Sequence, residues 1–178
     1  MNIGLKIIVA TLGLTVLGTV AQSAIHRLPP SDEALRGRFS AHRADFERLV
    51  TMANEDGHLA RIAPDFTWLD DDFAWPRKNV GISEQRWNEY RQIFRRAGTP
   101  DGIIMGTNPT RIIFPILSGG LVPAGFTKGL VYSQTSLSPV LKSLDEKPSN
   151  GFFDGPDRSH VLVYKQIENH WYIYYEQW

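Results

Sequence analysis

The chain has 178 residues, 42% hydrophobic and 21% charged, so one domain of ordinary size with a buried core is expected and wholesale disorder is excluded. Lysine plus arginine equals aspartate plus glutamate, 19 each, which leaves no net field to draw nucleic acid or anionic lipid. The absence of cysteine excludes disulfides, thiolate metal centres and cysteine nucleophiles.

Residues 1–30, "MNIGLKIIVATLGLTVLGTVAQSAIHRLPP", start with a short region carrying Lys6 and continue as an uncharged apolar run from Ile7 to Ala21, trailing to Ile25. A buried soluble helix would carry an amphipathic stripe, and this run has none. Two readings stand. A signal peptide would be cut after small residues such as Thr19-Val20-Ala21 or Ala21-Gln22-Ser23, whereas a single membrane anchor needs ~20 apolar residues. Both place the remainder, a single domain of residues 31–178, outside the cytoplasm. It would lie in the cell envelope, anchored to the membrane or secreted to the periplasm.

Leu28-Pro29-Pro30 forms a stiff junction. Ser31 or Asp32 then supplies the N-cap of a first helix, with acidic residues in its opening turn. Leu35, Phe39, His42, Phe46, Leu49 and Ala53 recur at spacings of four and three, which sets them on one face as far as a stop at Gly57. His42 on that stripe reads as a packed side chain. "LARIAPDFTWL" is an extended stretch broken at Pro64, and "DDDFAWPRKNVG" is a loop. A second helix starts at Ser83, with Ile82 and Trp87 spaced as a hydrophobic staple, buries Trp87, Tyr90, Phe94 and Ala97, and closes at Gly98. Its run of Arg86, Arg91, Arg95 and Arg96 sits beside Glu84 and Glu89 and reads as a solvated helix face.

From Gly102 the periodicity changes to short β-rich runs, "GIIM", "TRIIFPIL", "KGLVYS" and "HVLVYKQI". The stretch before the last is mostly loop, with a helical turn at Pro139–Leu144. Helices followed by strands predict an α+β domain with two main helices and an antiparallel sheet of about four to five strands, ending in a C-terminal hairpin. A two-residue turn at Glu168-Asn169 would set Gln166 opposite Trp171, Tyr164 opposite Ile173 and Leu162 opposite Tyr175. Leu162, Tyr164, Trp171, Ile173 and Tyr175 would then face the core. The alternative register puts Lys165 opposite Ile173, a poorer match. Tyr172, Tyr174 and Trp178 on the other face are the candidates for a binding surface if they are bare.

Chemistry-bearing motifs are sparse. No histidine pair has metal-site spacing, and Asp70-Asp71-Asp72 lacks the alternation of a calcium loop, so no metal or cofactor is expected. Ser118 has Ile116 where a nucleophile elbow needs glycine, and Phe126 stands where a phosphate loop needs lysine. In "FFDGPDRSH", Asp154 or Asp157 can orient His160 as an acid–base pair, although Asp-Gly-Pro-Asp is also ordinary turn chemistry. Arg111, Lys128 and Tyr132 on neighbouring strands would make an anion pocket if they point the same way.

Together with the N-terminal segment, "FSAHRADFERLVTM", "SEQRWNEYRQIF" and "YKQIENHWYIYYE" resemble small, exported or membrane-anchored bacterial proteins without assigned function. The resemblance implies an envelope location and carries over no functional residue. The expectation is a non-catalytic envelope domain that binds a protein partner or a small ligand. The alternatives are a small hydrolase using His160 with Asp154 or Asp157, and a cup of the NTF2-like or cystatin-like kind with an apolar cavity between helix and curved sheet.

Overall fold

The computed structural model describes residues 28–69, 80–105, 111–121, 124–145 and 160–178. The apolar run of residues 7–25, the acidic triplet at 70–72 and the Asp154 and Asp157 candidates lie outside them. Three helices, α1 (Asp32–Ala41), α2 (Arg43–Glu55) and α3 (Glu84–Ala97), pack on a seven-stranded antiparallel sheet. Its strands are β1 (Leu59–Ile62), β2 (Thr67–Leu69), β3 (Ile103–Met105), β4 (Arg111–Leu121), β5 (Ala124–Ser133), β6 (Val161–Glu168) and β7 (Trp171–Gln177), in the order β2-β1-β3-β4-β5-β7-β6. The α+β class and the antiparallel sheet are as expected, with one helix and at least two strands more. "LARIAPDFTWL" supplies a hairpin of two short strands and "GIIM" a third.

The expected first helix is two. Ser31 caps α1 through a bond from the Ala34 N–H to Oγ, and Leu35 and Phe39 bury its inner face. At His42 the backbone leaves helical geometry (φ −122°, ψ 24°), and its N–H is shared between the Arg38 and Phe39 carbonyls. Helix α2 then starts on the next residue and buries Phe46, Leu49, Val50, Met52 and Ala53. The break takes His42 off the apolar stripe; its side chain is 40% exposed and faces Asp45 at 3.7 Å. Helix α3 follows its sequence signals more closely: Ser83 Oγ caps Arg86 N, and Gly98 ends it in the left-handed conformation (φ 68°).

Between helices and sheet the core is filled with aromatic rings. Phe39 and Phe114 each contact both Phe46 and Trp171, which also contact each other, with centroids 4.7–6.0 Å apart, spacings that favour tilted and edge-on aromatic pairs. Trp87 Nε1 donates to the Ala63 carbonyl at 2.8 Å and Tyr90 OH to Asp56 at 2.9 Å, which satisfies both polar tips as α3 sinks against β1 and α2.

The C-terminal hairpin adopts the register that sequence disfavours. Val163 pairs with Tyr175, Tyr164 with Tyr174 and Lys165 with Ile173, with an irregularity between Gln166 and Glu168. His170 takes positive φ (65°) in the connection. Trp171, Ile173 and Tyr175 are core residues as expected, but on β6 the core face carries Val163 and Lys165, not Leu162 and Tyr164. A second cluster on the opposite face of the sheet holds Val131, Leu137, Tyr164, Tyr172 and Tyr174. Residues 139–141 run beside β6 instead of forming a helical turn: Tyr164 N bonds to Pro139 O and Leu141 N to Tyr164 O. That pairing blunts a sheet edge that would otherwise be bare.

Candidate functional site

The antiparallel pairing of β5 with β7 sets Lys128 opposite Tyr175 on the helix side of the sheet. Lys128 is 1% exposed, and a buried ammonium is costly unless carboxylates meet it. Two do. Its Nζ lies 2.9 Å from Asp32 Oδ1 and 2.8 Å from Asp145 Oδ1. Asp32, 3% exposed in the first turn of α1, also binds Lys165 Nζ through Oδ2 at 2.9 Å and accepts the Leu144 N–H at 2.9 Å. Asp145 Oδ1 closes the ring by accepting the Asp32 N–H at 2.7 Å. The network thus ties the start of α1, strands β5 and β6 and the 143–145 segment at one point.

The electrostatics follow from that geometry. Burial pushes the Asp32 carboxyl up, but the Leu144 N–H and the ammonium groups of Lys128 and Lys165 outweigh it and bring it from 3.8 to about 2. Two lysines and two aspartates make the cluster neutral overall. Asp145 is the most exposed member, with 42% of its side chain in solvent against 20% for Lys165.

A cleft of about 360 Å³ lies over this network. Leu28, Pro29, Leu144 and Tyr175 give it apolar walls, and Ser31, Lys128 and Asp145 are its polar groups. The Tyr175 hydroxyl is already bonded to Gln177 at 3.0 Å. Apolar walls with a few fixed polar groups are the usual build of a small-molecule site. The cleft is lined from the sheet and from the residues entering α1, while the space under the middle of the helices is filled by the aromatic core.

Arg111, Lys128 and Tyr132 do not converge. Lys128 and Tyr132 share the helix side of β5, where the Tyr132 ring lies 5.3 Å from Trp171. Arg111 pairs with Ser133, one step out of phase, and its guanidinium lies over Tyr164 on the opposite face. Tyr172 and Tyr174 are buried, at 5% and 2% exposure, and burial pushes the Tyr174 hydroxyl pKa well up. Trp178 is 41% exposed. Its backbone exchanges bonds with Gly125 at 3.0 and 3.1 Å and its indole covers that glycine, where a Cβ would sit 2.8 Å from the ring. His160 is exposed and bonds Glu176 Oε1 at 2.8 Å; it lines neither this cleft nor the second one described below. Among the described residues there is no group of three or more metal-ligating side chains, and no helix is long and apolar enough to cross a membrane.

Sequence reasoning singled out Lys128 but not its partners. Asp32 was legible as a helix-start acid and Lys165 as an awkward residue in a β-rich run; the signal that joins them is a lysine on a core-facing position, which demands a buried acid from elsewhere in the chain. Compared with protein-family models, with curated proteins and with solved structures, the chain shows no match, so its function is argued from the residues of the cleft.

Proposed function

We propose that residues 31–178 form a non-catalytic domain of the cell envelope, outside the cytoplasm, that binds a small ligand in the cleft at the start of α1. The observation that carries the reading is the cleft itself, about 360 Å³ with apolar walls above a buried charge network. That volume lies in the ~300–1,000 Å³ range usual for small-molecule sites. Lys128 is already matched by two carboxylates, so the ligand is an apolar molecule carrying a hydrogen-bond donor, an amine or hydroxyl, for the exposed Asp145.

A small ligand has more support than a protein partner. Among the described residues the exposed large apolar side chains are Leu28, Val140 and Trp178, single residues in three separate stretches of the chain. Protein-binding surfaces gather such residues into a contiguous patch. The hydrolase alternative has less support: the His160 side chain is 55% exposed, its carboxylate partner is Glu176, and among the described residues no serine or threonine hydroxyl bonds to it. Location rests on the apolar run Ile7–Ile25, read as an anchor or a cleaved signal.

Two experiments test the parts separately. A C-terminal alkaline phosphatase fusion is active if the domain is exported; an inactive fusion at normal expression contradicts the location. Native mass spectrometry of the full chain, purified from cells that make it, is expected to show a retained small molecule. Leu28→Asp should release it without loss of stability, because Leu28 is 84% exposed. Retention unchanged by that substitution would place the ligand elsewhere.

A further inference from the structure

The arginines of α3 divide sharply in the fold. Arg86 reaches Glu55 at 2.6 Å and Asp56 at 2.7 Å, and Arg96 reaches Asp45 at 2.7 Å. Arg91 lies flat on the Trp87 ring, 3.5 Å from its centroid, and is held by Pro64 O through Nε and by Glu84 and Asn88 through Nη1. Its Nη2 makes no bond to the described residues. Arg95 is exposed and has no carboxylate partner among them.

Arg91 and Arg95, one helical turn apart, flank a second cleft of about 410 Å³ where α3 gives way to β3. Pro64, Phe94 and Pro100 give it apolar walls, and Thr99 lies at its floor. Thr99 is 0% exposed, and its Oγ1 has no hydrogen-bond partner. A buried hydroxyl without a partner is unfavourable and uncommon in a folded protein. The hydroxyl and methyl of threonine are near in size, so a turn about χ1 exchanges them, and the group facing the cleft depends on what fills it. A helix C-terminus alone repels anions. Here the Phe94 carbonyl already accepts from both Gly98 and Thr99, and the Gly98 carbonyl accepts from Arg38.

We propose that this cleft binds a small ligand with a carboxylate or phosphate group on an apolar body. The oxyanion sits between Arg95 and Arg91 Nη2, the Thr99 hydroxyl donates to it, and the apolar part lies against Phe94 and Pro100. Arg91, locked by its stack on Trp87, loses little freedom in the encounter.

Ligand-observed ¹⁹F NMR on the full chain tests this, with 4-fluorobenzoate as probe and 4-fluorobenzamide as its uncharged control. The benzoate should bind and the benzamide should bind markedly less. Arg95→Gln, an exposed change with no cost to folding, should weaken the benzoate about ten-fold, the size of one charge-assisted hydrogen bond. Thr99→Val should also weaken it while raising Tm in the absence of ligand, because it removes the unpartnered hydroxyl. Leu28→Asp in the first cleft should leave benzoate binding unchanged. No benzoate binding, equal binding of the two probes, binding indifferent to both Arg95→Gln and Thr99→Val, or binding lost in Leu28→Asp would each overturn the proposal.

Discussion

Asp32 and Lys128 are single residues on which three elements depend. The carboxylate is buried among two ammonium groups, and each charge is tolerable only because the others are present. Lys128→Met leaves the buried Asp32 with Lys165 as its one ammonium partner, so unfolding by urea should show a loss of about 3 kcal/mol, the lower end for breaking a buried pair. The pH dependence has a fixed sign. The folded-state pKa of Asp32, about 2, lies below its value of 3.8 in a free chain, so its stabilisation is complete above pH ~4 and drains away as pH falls through ~2. The difference corresponds to about 2 kcal/mol. Chemical denaturation between pH 5 and pH 2 should therefore show a steep loss of stability, and Asp32→Asn should start lower and lose less over that window. An equal slope in both proteins would mean that Asp32 is not held by the lysines.

At the scale of elements, two glycines near helices make opposite predictions. Gly37 lies inside α1 with nothing within 4 Å of where a Cβ would stand. Gly37→Ala should raise stability by about 0.5–1 kcal/mol, by the lower backbone entropy cost of alanine. Gly102 has φ 74°, and a Cβ there would lie 2.0 Å from the Ile62 carbonyl oxygen, on the strand that pairs with β3. Backbone cannot swing away as a side chain can, so Gly102→Ala should cost more than ~2 kcal/mol and uncouple β1 from β3. Thermal melts of the two variants separate the cases. The same scale shows what sequence patterning reads well. Helix α3 has its capping serine, its apolar stripe and its terminal glycine within one contiguous stretch, and all of these are local signals. The hairpin register was not legible because the deciding contact is not local. Lys165 on the core face counts against that register until Asp32, 133 positions away, is known to meet it. The break at His42 was hidden for a related reason: the i, i+4 stripe continues through it, and only the backbone shows one helix ending and the next beginning there.

At the scale of the whole molecule, the described residues form a sheet with helices on one face, a filled aromatic centre and clefts at its margins. Fold class followed from the order of periodicities along the chain, whereas the candidate site did not, because it is assembled from α1, β5, β6, β7 and a connecting segment that sequence separates widely. The aromatic ending, read alone, suggests a binding platform; paired with β5 and β6, Tyr172 and Tyr174 are covered and only Trp178 keeps partial exposure. Weight therefore moves from the aromatic face to the cleft beside the N-terminal junction, where Leu28 is exposed at the rim. The most direct test of that shift is photo-cross-linking in living cells with p-benzoylphenylalanine placed at Leu28 of the full chain, and at Val140 on the edge beside β6 as control. Capture of a small molecule at Leu28 and not at Val140 is the predicted result; capture of a protein at Leu28, or equal capture at both positions, would contradict a ligand cleft at the start of α1.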